Sequence, residues 1–282
     1  MKIENPAFDY DQFGQQYSGH RQTDPRIAVF VLKALGTAKT ILNVGAGTGS
    51  YEPNDKYVVA VEPSEIMRQQ RINNGKVPAI NAKADNLPFD DNTFDASMAM
   101  VTIHHWPDID KGLKELRRVT RNQIVVMTFD PDALDLFWNA IYFPELIAVE
   151  KARYPTIESI NQSLGGDCEI IPIPIPLDCA DGFQEAFYGR PEAFLEKEVR
   201  LSQSAWGFLA EGLEDELVSR LKSDLESGKW DSEFGHFRKQ EYFTCALRLI
   251  VSNLRKGRRQ KDDCFNKERS NRQECVLLQK SP

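Results

Sequence analysis

The sequence predicts an α/β chain with a mainly parallel sheet covered by helices on both faces. Three observations carry that expectation. Across 282 residues the content is 41% hydrophobic and 27% charged, which is enough apolar surface for a sizeable core and far from a low-complexity composition. Apolar runs of strand length alternate with segments of helical periodicity between residues 27 and 129, as parallel strands joined by crossover helices require. The first such run, Thr40 to Val44, feeds directly into Gly45-Ala46-Gly47-Thr48-Gly49.

In chain order, Asp24-Pro25 supplies a cap and a first-turn proline for a helix over Ile27 to Leu35. Strands follow at Thr40 to Val44 and Tyr57 to Val61, the second ending at Glu62. Pro63-Ser64-Glu65 opens a helix over Ile66 to Ile72. A third strand is expected at Val77 to Asn81, a turn over residues 86–92, and a fourth strand at Phe94 to Val101. Asp108 to Val119 is an amphipathic helix with Leu113, Leu116 and Val119 on one face, and Gln123 to Phe129 is a fifth strand.

The pattern changes after Asp130. Residues 131–164 have helical periodicity, are rich in aromatic residues and are broken by Pro144 and Pro155, so they read as an insertion. Glu169 to Leu177 carries prolines at alternate positions and is expected at a sheet edge, because its amides cannot complete a ladder. Helices return over 191–227, and Glu241 to Ser252 reads as a final strand. Three units result: a core with an N-terminal helical cover over 1–130, a helical cap with the last strands over 131–253, and a basic flexible tail over 254–282.

The balance of 35 Lys+Arg against 42 Asp+Glu gives −7, which argues against a nucleic-acid partner. The tail alone sums to +5 and leaves −12 on residues 1–253. Cys168, Cys179, Cys245, Cys264 and Cys275 form no C-x-x-C, so neither a disulfide framework nor a metal site is indicated. The N-terminus lacks an apolar signal core, and no run approaches the ~20 apolar residues of a membrane span. A cytoplasmic protein with no membrane partner is expected, with its oligomeric state left open.

The spacing G-x-G-x-G after a strand, joined to an acid at the tip of the next, predicts an adenosine-type ligand across the C-terminal ends of the first two strands. Glycines permit positive φ and close approach, and the Glu62 carboxylate can accept from both ribose hydroxyls.

The runs ILNVGAGTGSYEP, VVAVEPSEIMRQQR, NLPFDDNTFDASMAMVTIHHWPD, GLKELRRV and VVMTFD resemble the class I S-adenosylmethionine-dependent methyltransferases, most closely the small-molecule type 11 branch. The blocks cover residues 10–130. Similarity to a bacterial subgroup of unassigned substrate extends through DPDALDLFW, YFPELIAVE, YGRPEAF and SQSAWGF to Ser252.

The resemblance implies a Rossmann-like sheet of seven strands, the last antiparallel, and S-adenosyl-L-methionine as cofactor. By its implication Gly45, Ala46 and Gly47 line the methionine and ribose, Glu62 clasps the ribose, and Pro63 and Ser64 flank the adenine. Ala84 and Asp85 lie at the adenine edge, Met100 and Val101 pass beneath the sulfonium, and Tyr17 and Arg21 cover the cofactor and pair its carboxylate. The sequence departs from the family at two places. Only about seven residues separate Gly49 from the next strand, leaving room for barely one helical turn. Lys83 stands where many relatives have an adenine-contacting aspartate.

An activated sulfonium needs positioning more than side-chain chemistry, and a base is required only for an acceptor with a proton of high pKa. His104 and His105, after the fourth strand, are the catalytic candidates. Trp138, Tyr142, Phe143, Tyr188, Arg190 and Trp206 are the candidate contacts to a small-molecule methyl acceptor, although aromatics at helical spacing commonly pack as core. Two other readings stay open: a non-catalytic S-adenosylmethionine-binding regulator, and an NAD(P)-dependent oxidoreductase, which the glycine spacing and shortened crossover disfavour.

Overall fold

The computed structural model describes residue 11 and residues 17–253, so the basic tail, Cys264 and Cys275 lie outside the described residues. Strands β1 (Thr40–Val44), β2 (Tyr57–Val61), β3 (Phe94–Met100), β4 (Thr120–Phe129), β5 (Glu169–Pro172) and β8 (Leu247–Asn253) form one sheet in the order β2-β1-β3-β4-β8-β5. The pairs β1–β2, β1–β3 and β3–β4 are parallel, while β8 runs antiparallel to both β4 and β5. This is the mainly parallel Rossmann-like arrangement expected from the sequence. The order reverses at β1, between β2 and β3, where open α/β sheets hold ligands.

Side-chain alternation divides the core in two. Ile41, Ala96, Met98, Val125 and Met127 face one apolar cluster, and Leu42, Val44, Ala99, Ile124 and Val126 face the other. Helix α1 (Pro25–Leu35) covers the first face with Ile27, Val31 and Leu35, and Asp24 caps it by accepting from Arg26 N at 2.9 Å. Helix α2 (Glu65–Asn73) follows β2, with Ser64 as its cap. Helix α3 (Ile109–Val119) covers the second face with Leu113, Leu116 and Val119, the stripe read from the sequence, and Asp108 caps it.

Three elements differ from expectation. Residues 77–81 form no strand: Pro78 removes a donor, and only an isolated bridge joins Ile80 to Val61, so the sheet has six strands rather than seven. The Glu169 to Leu177 run splits at Ile173-Pro174. Its first half is the edge strand β5, and its second, β6 (Ile175–Pro176), pairs with β7 (Tyr242–Phe243) in a separate two-stranded sheet. The final strand is likewise interrupted at residues 244–246, where Ala246 turns its carbonyl to Asp130 N and its own N–H to Glu185 Oε1.

Residues 131–241 carry the edge strand β5 and, as their longest helices, α4 (Pro144–Arg153), α5 (Ile157–Ser163), which packs on α3, and α6 (Leu213–Glu226). No described helix is long and apolar enough to cross a membrane.

Candidate active site

The loop after β1 needs glycine for steric reasons that the structure makes explicit. Gly45 has φ +67°, and a Cβ there would lie 2.1 Å from Thr102 Oγ1. Gly45 N and Ala46 N both donate to Val61 O, tying the loop to the end of β2. Gly47 has φ +49° and open space where a side chain would project, so its backbone is available to a ligand.

Gly47 N donates to Glu62 Oε2 at 2.8 Å, and Ser64 N donates to Glu62 Oε1 at 2.9 Å. These two amides fix the carboxylate plane and leave one lone-pair direction on each oxygen. Burial pushes the Glu62 carboxyl above its ordinary range, and the two amides oppose that shift.

The short crossover holds no helix. Tyr51 sits at φ +62° and Glu52 turns inward, where its carboxylate meets the fully buried guanidinium of Arg71 at 2.8 and 2.9 Å and accepts from Asn43 Nδ2. A bidentate ion pair thus braces the loop in place of helix packing. Tyr51 donates through its hydroxyl to Asp181 Oδ2 at 2.9 Å, and Arg21 donates to Asp181 Oδ1 at 2.6 Å. This triad joins the N-terminal segment, the glycine loop and the insertion. Burial, reinforced by the Asp181 charge, raises the Tyr51 phenol well above its usual range.

A cavity of about 470 Å³ opens over this end of the sheet. Gly45, Ala46, Gly47, Glu62, Pro63 and Ser64 line it on one side. Ala84, Met100, Val101 and His105 line it on the other, so ten of the residues named from the sequence come together. Asp85 does not reach it. It faces Lys111 at 3.9 Å, and the wall is formed by Lys83, the residue at the family's aspartate position. Arg21 is committed to Asp181 and lines a second, smaller cavity instead. Tyr17 lies in a helical turn, Tyr17–His20, with its side chain outside the described residues. Sequence reasoning missed Asp11, Asn43, Met67, Thr102 and Trp106 in the wall. Met67 was available from its place one turn into the helix after Ser64.

The second cavity, about 40 Å³, shares Val101 and His105 with the first. Val101 has φ +49°, an unusual conformation for a β-branched residue, and its N–H donates to Met127 O at 2.7 Å. Strain of this kind persists only where the surroundings enforce it, and here it shapes the wall common to both cavities.

The two histidines part company. His105 Nδ1 lies 3.2 Å from Arg153 Nη2; because a guanidinium only donates, Nδ1 accepts and the neutral ring carries its proton on Nε2. His104 lines the second cavity alone, stacks on Tyr154 at 4.2 Å, and has an unpartnered Nδ1. Burial, helped by the Arg153 charge, holds both rings well below the usual imidazole range and therefore neutral. Arg153 thus sets the His105 tautomer, whereas the Tyr154 hydroxyl, which can donate or accept, faces His104 Nε2.

The acceptor contacts need correction. Trp138, Tyr142 and Tyr188 are buried, and none of them lines either cavity. Trp138 packs edge-on to Trp230 at 5.4 Å and donates to Tyr188 O, Tyr142 donates to Asp224, and Tyr188 donates to Gln240 O. Phe143 and Trp206 belong to the same cluster, with ring centroids 5.2 Å apart. Arg190 lines neither cavity and donates through Nη2 to the carbonyls of Cys179 and Ala186. Large rings at helical spacing bury more apolar surface against one another than at a cavity rim. The insertion lines the second cavity through polar residues the sequence did not flag, among them Asn139, Glu150, Gln184, Glu185 and Ser204.

A family model described as a methyltransferase domain, Methyltransf_11, matches residues 42–127. The chain is 29% identical over 156 residues to a demethylmenaquinone methyltransferase of Clavibacter sepedonicus, covering 49% of this chain and 63% of that protein. It is 28% identical over 138 residues to the ubiquinone/menaquinone biosynthesis C-methyltransferase UbiE of a Geobacter species, covering 43% and 59%. The chain therefore spans less than two thirds of the length of these curated relatives. A solved structure from Anabaena variabilis, assigned as a methyltransferase of an antibiotic biosynthesis pathway, is similar throughout: 30% identity, TM-score 0.77, 85% of this chain and 100% of that one.

Proposed function

Because the chain belongs to the class I S-adenosylmethionine-dependent methyltransferases, in the type 11 branch, we propose that its larger cavity holds S-adenosylmethionine and that it methylates a small organic acceptor by in-line displacement. The observation that carries this reading is the buried Glu62 carboxylate at the tip of β2, held by Gly47 N and Ser64 N with lone pairs left toward the cavity. Two adjacent ribose hydroxyls match that geometry. Met67, Ala84 and Trp106 supply the apolar wall an adenine ring requires. No helix N-terminus meets the glycine loop, so a pyrophosphate would lack its usual seat, whereas a ligand without phosphate loses nothing.

When bound, the sulfonium supplies a methyl group already activated for transfer. The protein's own part is to position and to exclude water. Val101 and His105 occupy the junction where a methyl group would cross from one cavity to the other. In the tautomer that donates Nε2–H to the Tyr154 hydroxyl, His104 Nδ1 takes a proton from an acceptor that carries one. The cofactor cavity is lined by residues within 11–107, and the second cavity by residues of that segment and of the insertion together. The quinone substrates in the relatives' names agree with a small-molecule acceptor.

Calorimetric titration with S-adenosylmethionine, S-adenosylhomocysteine and NADH tests the reading. The two sulfur ligands bind and NADH does not; binding of NADH alone, or of none of the three, overturns it.

A further inference from the structure

The second cavity is not needed to hold the cofactor, yet it is built with unusual chemistry. Four residues of its wall carry a polar atom without a hydrogen-bond partner: Asn139 Oδ1, Glu150 Oε2, Glu185 Oε2 and His104 Nδ1. All four residues are more than nine-tenths buried. Their remaining atoms are engaged, since Asn139 Nδ2 faces Gln184 Oε1 at 3.5 Å, Glu150 Oε1 accepts from Gln184 Nε2 at 2.9 Å, and His104 Nε2 lies 3.4 Å from the Tyr154 hydroxyl. Buried polar atoms are rarely left unpaired; the amide and carboxylate oxygens accept, and His104 Nδ1 accepts in the tautomer that donates Nε2–H to the Tyr154 hydroxyl.

Arg21 is paired with Asp181 at 2.6 Å, and Arg153 stands 3.7 Å from Glu150 Oε2, too far for a hydrogen bond to it. The volume of about 40 Å³ holds about three water-sized groups, the room of an amine with one or two carbons. A hydroxyl would bring a single donor to these four open atoms, whereas a primary ammonium brings three in one compact head.

We propose that the second cavity is the anchoring subsite for the methyl acceptor and that it takes a primary amine, whose N–H groups bond Asn139 Oδ1, Glu150 Oε2 and His104 Nδ1. The proposal rests on the reading that the larger cavity holds the cofactor, which places the anchored molecule next to the methyl group across the Val101–His105 wall.

The test is calorimetry on the full chain. S-adenosylhomocysteine is titrated first; ethylamine and 2-phenylethylamine are then titrated into the saturated protein beside ethanol, 2-phenylethanol and phenylacetate. At least one amine binds ten or more times as tightly as its matching alcohol, phenylacetate binds no better than the alcohol, and Glu150→Gln abolishes the preference while S-adenosylhomocysteine affinity is unchanged. If S-adenosylhomocysteine binds and neither amine is preferred, the amine subsite is wrong and the cofactor reading stands. If S-adenosylhomocysteine does not bind, both fall. Should Glu150→Gln fail to fold, the amine-to-alcohol ratio of the unmodified protein decides the question.

Discussion

The two cavities are made differently. The larger one is built chiefly from backbone: a glycine loop pinned to β2, a carboxylate aimed by two amides, and the strained end of β3. The smaller one is built from side chains of the insertion, several of them buried and ionisable. A backbone site constrains residue type at fixed spacing, because only glycine fits where a Cβ would strike Thr102. A side-chain site can be assembled from single polar residues at any positions the fold brings together. The first is robust to what it binds, and the second carries specificity.

That difference governs what the sequence disclosed. The alternation of strands and helices, the caps at Asp24 and Ser64, and the pairing of Gly45–Gly47 with Glu62 were all legible, since each follows from local geometry. The acceptor side was not. The insertion's aromatics stood out in the sequence but pack as core, while Asn139, Glu150 and Glu185 look like ordinary surface polar residues until tertiary packing buries them. The split of the Glu241 to Ser252 run was equally invisible, because it depends on Glu185 capturing Ala246 N from sixty-one positions away.

The sharpest contrast comes from Arg71. Arg71→Met strands the Glu52 carboxylate in the core beneath the glycine loop, and breaking a buried pair of this kind costs about 3–5 kcal/mol. Chemical denaturation measures the loss, and Glu52→Gln in the same chain restores part of it. If the single variant is as stable as the parent, the ion pair is not what braces the helix-free crossover.

On the other side, burial holds the Glu185 carboxyl at about 7, against an ordinary value of 4.5. The folded state keeps this proton to a higher pH than the unfolded chain does. Stability is therefore fullest below pH 4.5 for this group and is lost as pH rises toward 7, by about 3 kcal/mol in all. Glu185→Gln, which still accepts from Ala246 N, flattens that part of the profile. Unfolding curves of both proteins between pH 4.5 and 8 decide it, and parallel profiles would mean that Glu185 is ionised throughout. An effect no larger than that is expected at Glu62, where Glu62→Ala weakens S-adenosylhomocysteine binding by roughly 1.5–3 kcal/mol, the scale of lost charge-assisted hydrogen bonds. Unchanged affinity would remove Glu62 from ribose recognition.

Val101 belongs to both cavities and is expected to give the smallest change in stability. Val101→Gly removes a left-handed β-branched residue, relieving about 1–3 kcal/mol of strain. It also gives up the burial of three carbons, about 2 kcal/mol, and adds about 0.5–1 kcal/mol of backbone entropy. At the middle of their ranges these terms offset to within about 1 kcal/mol. Binding does not share the cancellation, because the enforced turn is what presents Met100, Val101 and Thr102 to the larger cavity. The melting temperature should thus barely move while S-adenosylhomocysteine affinity falls roughly tenfold, or about 1.4 kcal/mol. A variant that loses stability but binds normally would make Val101 an ordinary core residue, and the wall between the cavities would owe nothing to strain.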